Sequence, residues 1–167
     1  MGSGYYYHCE KCGVNYDVSV GAGMAFPEVY RQAVKDVLDG AYGREWQEAA
    51  RGIEHFAVDA ELRLYRCDDC GCWEVGYGMS LYAPKDVGKL LKKQFGEKTA
   101  GEWGYVPYVM EDDLHEDYDL VKERVHSCEK CGKPMSVVDV ESGEAPALKC
   151  PECGGDLSNS GLCMCWD

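Results

Sequence analysis

Eight of the eleven cysteines stand in four Cys-x-x-Cys pairs, each followed at once by glycine: Cys9/Cys12, Cys67/Cys70, Cys128/Cys131 and Cys150/Cys153. A Cys-x-x-Cys turn places two thiolates on one side of a tight loop, and the glycine supplies the positive φ that closes it. Two such loops facing each other make a tetrahedral four-sulfur site, so four loops predict two metal sites. Spacing suggests how they pair. Cys131 and Cys150 enclose 18 residues, inside the spacing window of zinc sites built from two Cys-x-x-Cys pairs. That leaves Cys9/Cys12 with Cys67/Cys70, which enclose 54 residues. Zinc held by four thiolates has no open position, so the expected role is structural and no catalytic residue is assigned.

The elements that must position these thiols follow from hydrophobic periodicity. Residues 135–140, a turn at 141–144 and residues 145–149 read as a hairpin growing from the last two knuckles. Here the chain resembles the zinc-ribbon and rubredoxin-like superfamily, with Cys150-Pro151-Glu152-Cys153-Gly154 in the form many members show. The resemblance covers about a third of the chain and implies a fold and a metal rather than an activity. It also implies the alternative ion, because rubredoxins hold one iron in the same ligand set; zinc is the expected occupant and iron its rival.

Between the first two knuckles, residues 14–20 and 61–66 alternate as strands. A helical unit over about 24–54 separates them: Pro27 opens a helix with Tyr30, Ala33, Val34, Val37 and Leu38 on one face and Gly40 as its stop, and a second helix runs from Arg44 to Arg51. Residues 72–82 read as one strand and 84–95 as an amphipathic helix. The expected fold class is α+β, with two small antiparallel zinc ribbons, the first carrying a helical insertion. The expected segments are 1–83, 84–119 and 120–167, and the two halves read as a loose internal duplication.

Composition bounds the partners. The chain has 167 residues, 46% of them hydrophobic, and a formal charge of −13. Each closed zinc site adds about −2. A phosphate backbone repels such a body, so a protein with a basic surface is the leading partner, the chain then being an acidic accessory subunit or inhibitor of a nucleic-acid-handling complex; direct nucleic-acid binding, or electron transfer by a rubredoxin-like iron site, is the competing reading. The acidic run 111–119 reads as a solvated linker that could dock such a partner. Candidate contact residues are Trp103, Tyr105, Tyr108, Asp112, Asp113, Glu116 and Asp117, aromatic and acidic side chains grouped around it. No apolar run is long enough to span a bilayer, and the N-terminus lacks the pattern of a signal peptide. A cytoplasmic location is therefore expected, where paired cysteines bind metal more often than they form disulfides. Cys72, Cys163 and Cys165 remain outside the tetrads, and His8 and His126 stand close enough to a knuckle to replace a ligand.

Overall fold

The computed structural model describes residues 2–96, 107–140 and 146–166, with side chains described as far as residue 159 in the last stretch. Trp103, Tyr105 and the expected turn 141–144 lie outside the described residues, as do the side chains of Cys163 and Cys165. In chain order the elements are β1 (Gly2–Cys9), β2 (Asn15–Val20), α1 (Phe26–Asp39), α2 (Arg44–Arg51), β3 (Ala57–Val58), β4 (Leu62–Arg66) and β5 (Trp73–Tyr77). There follow β6 (Leu81–Pro84), α3 (Val87–Phe95), α4 (Glu111–Asp117), β7 (Tyr118–Lys122), β8 (Ser136–Val137) and β9 (Leu157–Trp166). The class is mixed α and β, with small antiparallel three-stranded sheets.

Two compact units form, and they cut across the segments 1–83, 84–119 and 120–167. The first joins Met1–Met24, Leu62–Tyr77 and Val125–Asp167; the second joins Ala25–Glu61 and Gly78–Arg124. The chain thus leaves the first unit and returns to it twice.

The first unit contains two sheets, ordered β2-β1-β9 and β5-β4-β8. Strand β1 has the period-two pattern of a half-buried strand: Tyr5, Tyr7 and Cys9 face inward while Tyr6 and His8 are exposed. With Val18, Val20, Leu64, Leu148, Cys150 and Leu157 the inward residues form one core. Both buried tyrosine hydroxyls are satisfied, Tyr5 donating to the Val140 carbonyl at 3.1 Å and Tyr7 to that of Pro146 at 3.0 Å. The hairpin expected over 135–149 is not what β8 makes. It pairs instead with β4, through Tyr65↔Val137 and Arg66↔Ser136, and the Val138 amide donates to the Leu64 carbonyl.

The second unit carries the helices and the sheet β3-β6-β7. The face of α1 that buries Phe26, Tyr30, Ala33 and Val37 is the one its periodicity marks, and Gly40 ends it at φ 85°. The expected single strand over 72–82 breaks at Gly78–Ser80, so that β5 and β6 belong to different units. Met79 is buried at φ 57°. Its amide donates to the Asp59 carbonyl at 2.6 Å, and its own carbonyl accepts from Trp46 Nε1 at 3.1 Å. Helix α3 starts later than Pro84 because the Asp86 side chain caps it, accepting from the Lys89 amide.

The acidic run differs most from expectation. Residues 111–117 are helix α4, with Leu114 and Asp117 buried, and the run belongs to the second unit rather than linking two halves. Lys93 of α3 reaches Asp117 at 2.6 Å, Glu116 at 3.1 Å and Asp113 at 3.2 Å. Lys85 Nζ donates to the His115 and Glu116 carbonyls at the end of α4. One ammonium against three carboxylates explains why so acidic a segment can pack, and those carboxylates hold the Lys93 ammonium protonated well above its ordinary range.

Candidate metal centres

All four knuckles share one backbone. In each, the amide of the glycine donates to the carbonyl of the leading cysteine: Gly13 to Cys9, Gly71 to Cys67, Gly132 to Cys128 and Gly154 to Cys150. The leading cysteine's own amide donates to the residue after that glycine, namely Val14, Cys72, Lys133 or Gly155. The four glycines sit at φ 75°, 71°, 70° and 69°, where a side chain is strained.

The thiols converge in two tetrads, but not in the expected partnership. Cys9 and Cys12 meet Cys150 and Cys153, while Cys67 and Cys70 meet Cys128 and Cys131; within each group the sulfurs lie within 4.8 Å of one another. The first centre thus joins the outermost knuckles and the second the two inner ones, a nested arrangement. Sheet register is the reason. Strand β1 runs into the first knuckle and β9 runs out of the fourth, and these strands pair as His8↔Ser158 and Cys9↔Leu157. Likewise β4 runs into the second knuckle and β8 follows the third, pairing as Arg66↔Ser136.

The two centres repeat each other residue by residue. His8↔Asn15 closes the first hairpin and Arg66↔Trp73 the second; the third strand then pairs at His8↔Ser158 and Arg66↔Ser136, at equal offsets from the cysteines. The bridges Ser127↔Pro134 and Lys149↔Asp156 copy the hairpin closure in the third and fourth knuckles. What repeats is therefore the local geometry of the knuckles and their strands, with one module nested inside the other rather than following it.

Across the first tetrad Cys9 Sγ lies 3.4 Å from Cys153 Sγ and Cys12 Sγ 3.6 Å from Cys150 Sγ. Across the second, Cys67 to Cys131 is 3.4 Å and Cys70 to Cys128 is 3.5 Å. A four-sulfur zinc or iron site with bonds of about 2.3 Å has sulfurs about 3.8 Å apart; these cross-knuckle distances are a few tenths of an ångström shorter and no pair exceeds 4.8 Å, so both tetrads are of the size such an ion needs. Local donors favour the thiolate at Cys9, Cys70 and Cys150, while Cys12, Cys131 and Cys153 are shifted the other way. The Cys12 amide holds the Cys9 thiol below its ordinary value, and the Cys72 amide does the same for Cys70. The Tyr16 hydroxyl, 3.4 Å away, draws Cys150 down to about 6 against the opposing effect of burial.

Side chains outside the tetrads fasten knuckle to knuckle in the same pairs. Lys11 of the first knuckle donates to the Cys153 carbonyl at 3.0 Å. Ser136 Oγ donates to Asp68 at 2.9 Å, and Lys133 faces Asp69 at 3.8 Å. Trp73 instead crosses between the two centres: beside the second knuckle, its Nε1 donates at 2.8 Å to the carbonyl of Lys149, which adjoins the fourth.

Other residues singled out from sequence lie elsewhere. His8 Nδ1 is 2.7 Å from Asn15 Oδ1, and His126 stacks on Tyr65 with centroids 3.7 Å apart; neither is in a tetrad. Cys72 lies beside the second tetrad without belonging to it. Tyr108 is half exposed and edge-on to Phe26, and Asp112 is exposed on α4. Asp113, Glu116 and Asp117 are engaged by Lys93. Sequence reasoning gave no role to Tyr16, Lys11 or Trp73. The alternation of residues 14–20 sets Tyr16 on the same face as Val18 and Val20, and that was the available signal.

No protein-family model, no curated protein and no solved structure matches the chain. Its likeness to zinc ribbons therefore rests on the knuckles and the tetrads they form.

Proposed function

We propose that this chain is a non-catalytic zinc protein in which two closed four-thiolate sites fix a scaffold that binds another protein, one with a basic surface. The observation that carries the reading is the saturation of both tetrads by cysteine. Four thiolates leave zinc no position for water or substrate, so its contribution is to the fold. Charge supports the choice of partner. The first unit has twelve acidic and six basic side chains, and two loaded sites bring its net charge to about −10. Such a surface attracts a basic protein and repels nucleic acid. On the second unit, exposed Asp112 and Glu116 and half-exposed Tyr108 are the candidate contacts with the most accessible side chains. Asp113, Glu116 and Asp117 contribute less charge to a partner because Lys93 neutralises part of it.

The test has two stages. Elemental analysis of the full chain purified under reducing conditions is expected to give two zinc ions per chain in a colourless protein. A red protein bleached by dithionite would instead make both sites iron centres. The zinc-loaded chain, used as bait in extract of its native host, is expected to retain a basic protein that elutes as salt is raised. Salt-sensitive binding to DNA or RNA in a gel-shift titration would contradict the proposal.

A further inference from the structure

Because the two modules share one backbone, residues at the same offset can be compared between the centres. Seven residues after the leading cysteine the outer module has Tyr16 and the inner has Glu74. The Tyr16 hydroxyl lies 3.4 Å from Cys150 Sγ. Its ring is held edge-on to Trp73, with centroids 5.5 Å apart, and Trp73 in turn holds the carbonyl of Lys149, the neighbour of Cys150. A metal-bound thiolate has no proton to give, so in the loaded centre the phenol must be the donor. An O–H···S⁻ bond fixes the ligand's orientation and spreads its charge, which opposes loss of that sulfur from the ion.

The inner module lacks this device at the matching position. Glu74 is a carboxylate and can only accept, and it faces His126 Nδ1 at 3.7 Å. A fifth thiol is present instead. Cys72 occupies the loop position filled by Val14, Lys133 and Gly155 in the other knuckles, where the loop uses only a backbone carbonyl. Its side chain packs against the cluster of Tyr65, Cys67, Cys128 and Met135.

We infer that the two centres are unequal in their hold on metal: Tyr16 makes the outer ion the retained one, and the inner ion, whose module has a carboxylate at the matching position, is the exchangeable one. This rests on the proposal that both tetrads bind zinc.

Release of zinc from the loaded full chain into excess chelator, followed with a metallochromic indicator in reducing buffer, tests this. Two phases of one ion each are expected. Tyr16→Phe keeps the ring against Trp73 and is expected to speed the slow phase about 10-fold or more without changing the fast one. A Cys12→Ser/Cys153→Ser chain is expected to retain the fast phase alone. In cobalt-loaded protein Tyr16→Phe is expected to move the sulfur-to-metal charge-transfer band of one centre, a change that altered packing alone would not cause. A single phase, or equal slow phases in wild type and Tyr16→Phe, would overturn the inference while two bound ions upheld the zinc reading. Fewer than two ions on the untreated chain would overturn both.

Discussion

At the scale of single residues, two glycines distinguish two kinds of constraint. At Gly78 an added Cβ would lie 2.1 Å from Asp59 Oδ2, and Asp59 is only 6% exposed, so neither side can give way. Gly78→Ala is expected to lower stability by about 3 kcal/mol or more, read from denaturant midpoints. At Gly13 nothing lies within 4 Å of the added atom, and only the φ of 75° resists a side chain. Gly13→Ala is expected to cost about 1–2 kcal/mol. Equal effects would mean that the contact between Gly78 and Asp59 is relaxed in solution. Lys93 poses a different constraint. Asp117 has a side chain 9% exposed and bonded to Lys93 at 2.6 Å, so Lys93→Met leaves a buried carboxylate without this partner. The expected loss is about 1–3 kcal/mol in the same measurement, and an unchanged midpoint would show that water serves Asp117 equally well.

Among elements, local signals were legible and distant pairings were not. Helix α1 could be read from Pro27, its apolar spacing and Gly40, and α2 from Trp46, Ala49 and Ala50, because each helix closes its own hydrogen bonds. The knuckles were legible for the same reason, each being a loop of a few residues. The partners of the knuckles were not. A spacing of 18 residues between Cys131 and Cys150 suits a hairpin, but the choice belongs to strands nearly the whole chain apart. In β1 three successive tyrosines show no alternation in the sequence, so neither the inward set of Tyr5, Tyr7 and Cys9 nor the pairing with β9 was legible. Helix α4 was obscured for a related reason: six acidic residues in nine read as solvated until Lys93 and Lys85, from an earlier element and its approach, are seen to neutralise and cap them. The interruption at Met79 likewise depends on Asp59 and Trp46, which no local pattern reveals.

For the whole molecule, placing both tetrads in one unit sets what metal removal should do. Chelation in reducing buffer is expected to expose the amides of 1–24, 62–77 and 125–167 to hydrogen exchange. Protection should persist in α1 and β6, whose unit has its own core around Tyr30, Val37 and Leu81. Uniform loss throughout would mean that the second unit cannot hold its fold without the first. Alkaline pH reaches both units. Burial pushes the Tyr7 hydroxyl in the first and the Tyr118 hydroxyl in the second up to about 12, while an unfolded tyrosine ionises near about 10. The folded chain keeps those protons longer, so their contribution is complete below pH 10 and is expected to be lost as pH rises toward 12, visible as a falling melting temperature. The nested pairing itself is tested most directly by metal content. A chain carrying Cys12→Ser and Cys153→Ser has both changes in one centre, and elemental analysis is expected to find one zinc retained. A chain carrying Cys12→Ser and Cys70→Ser has one change in each and is expected to lose both ions. The opposite pattern, both ions lost from the first chain and one kept by the second, would show that neighbouring knuckles pair along the sequence and would contradict the fold described.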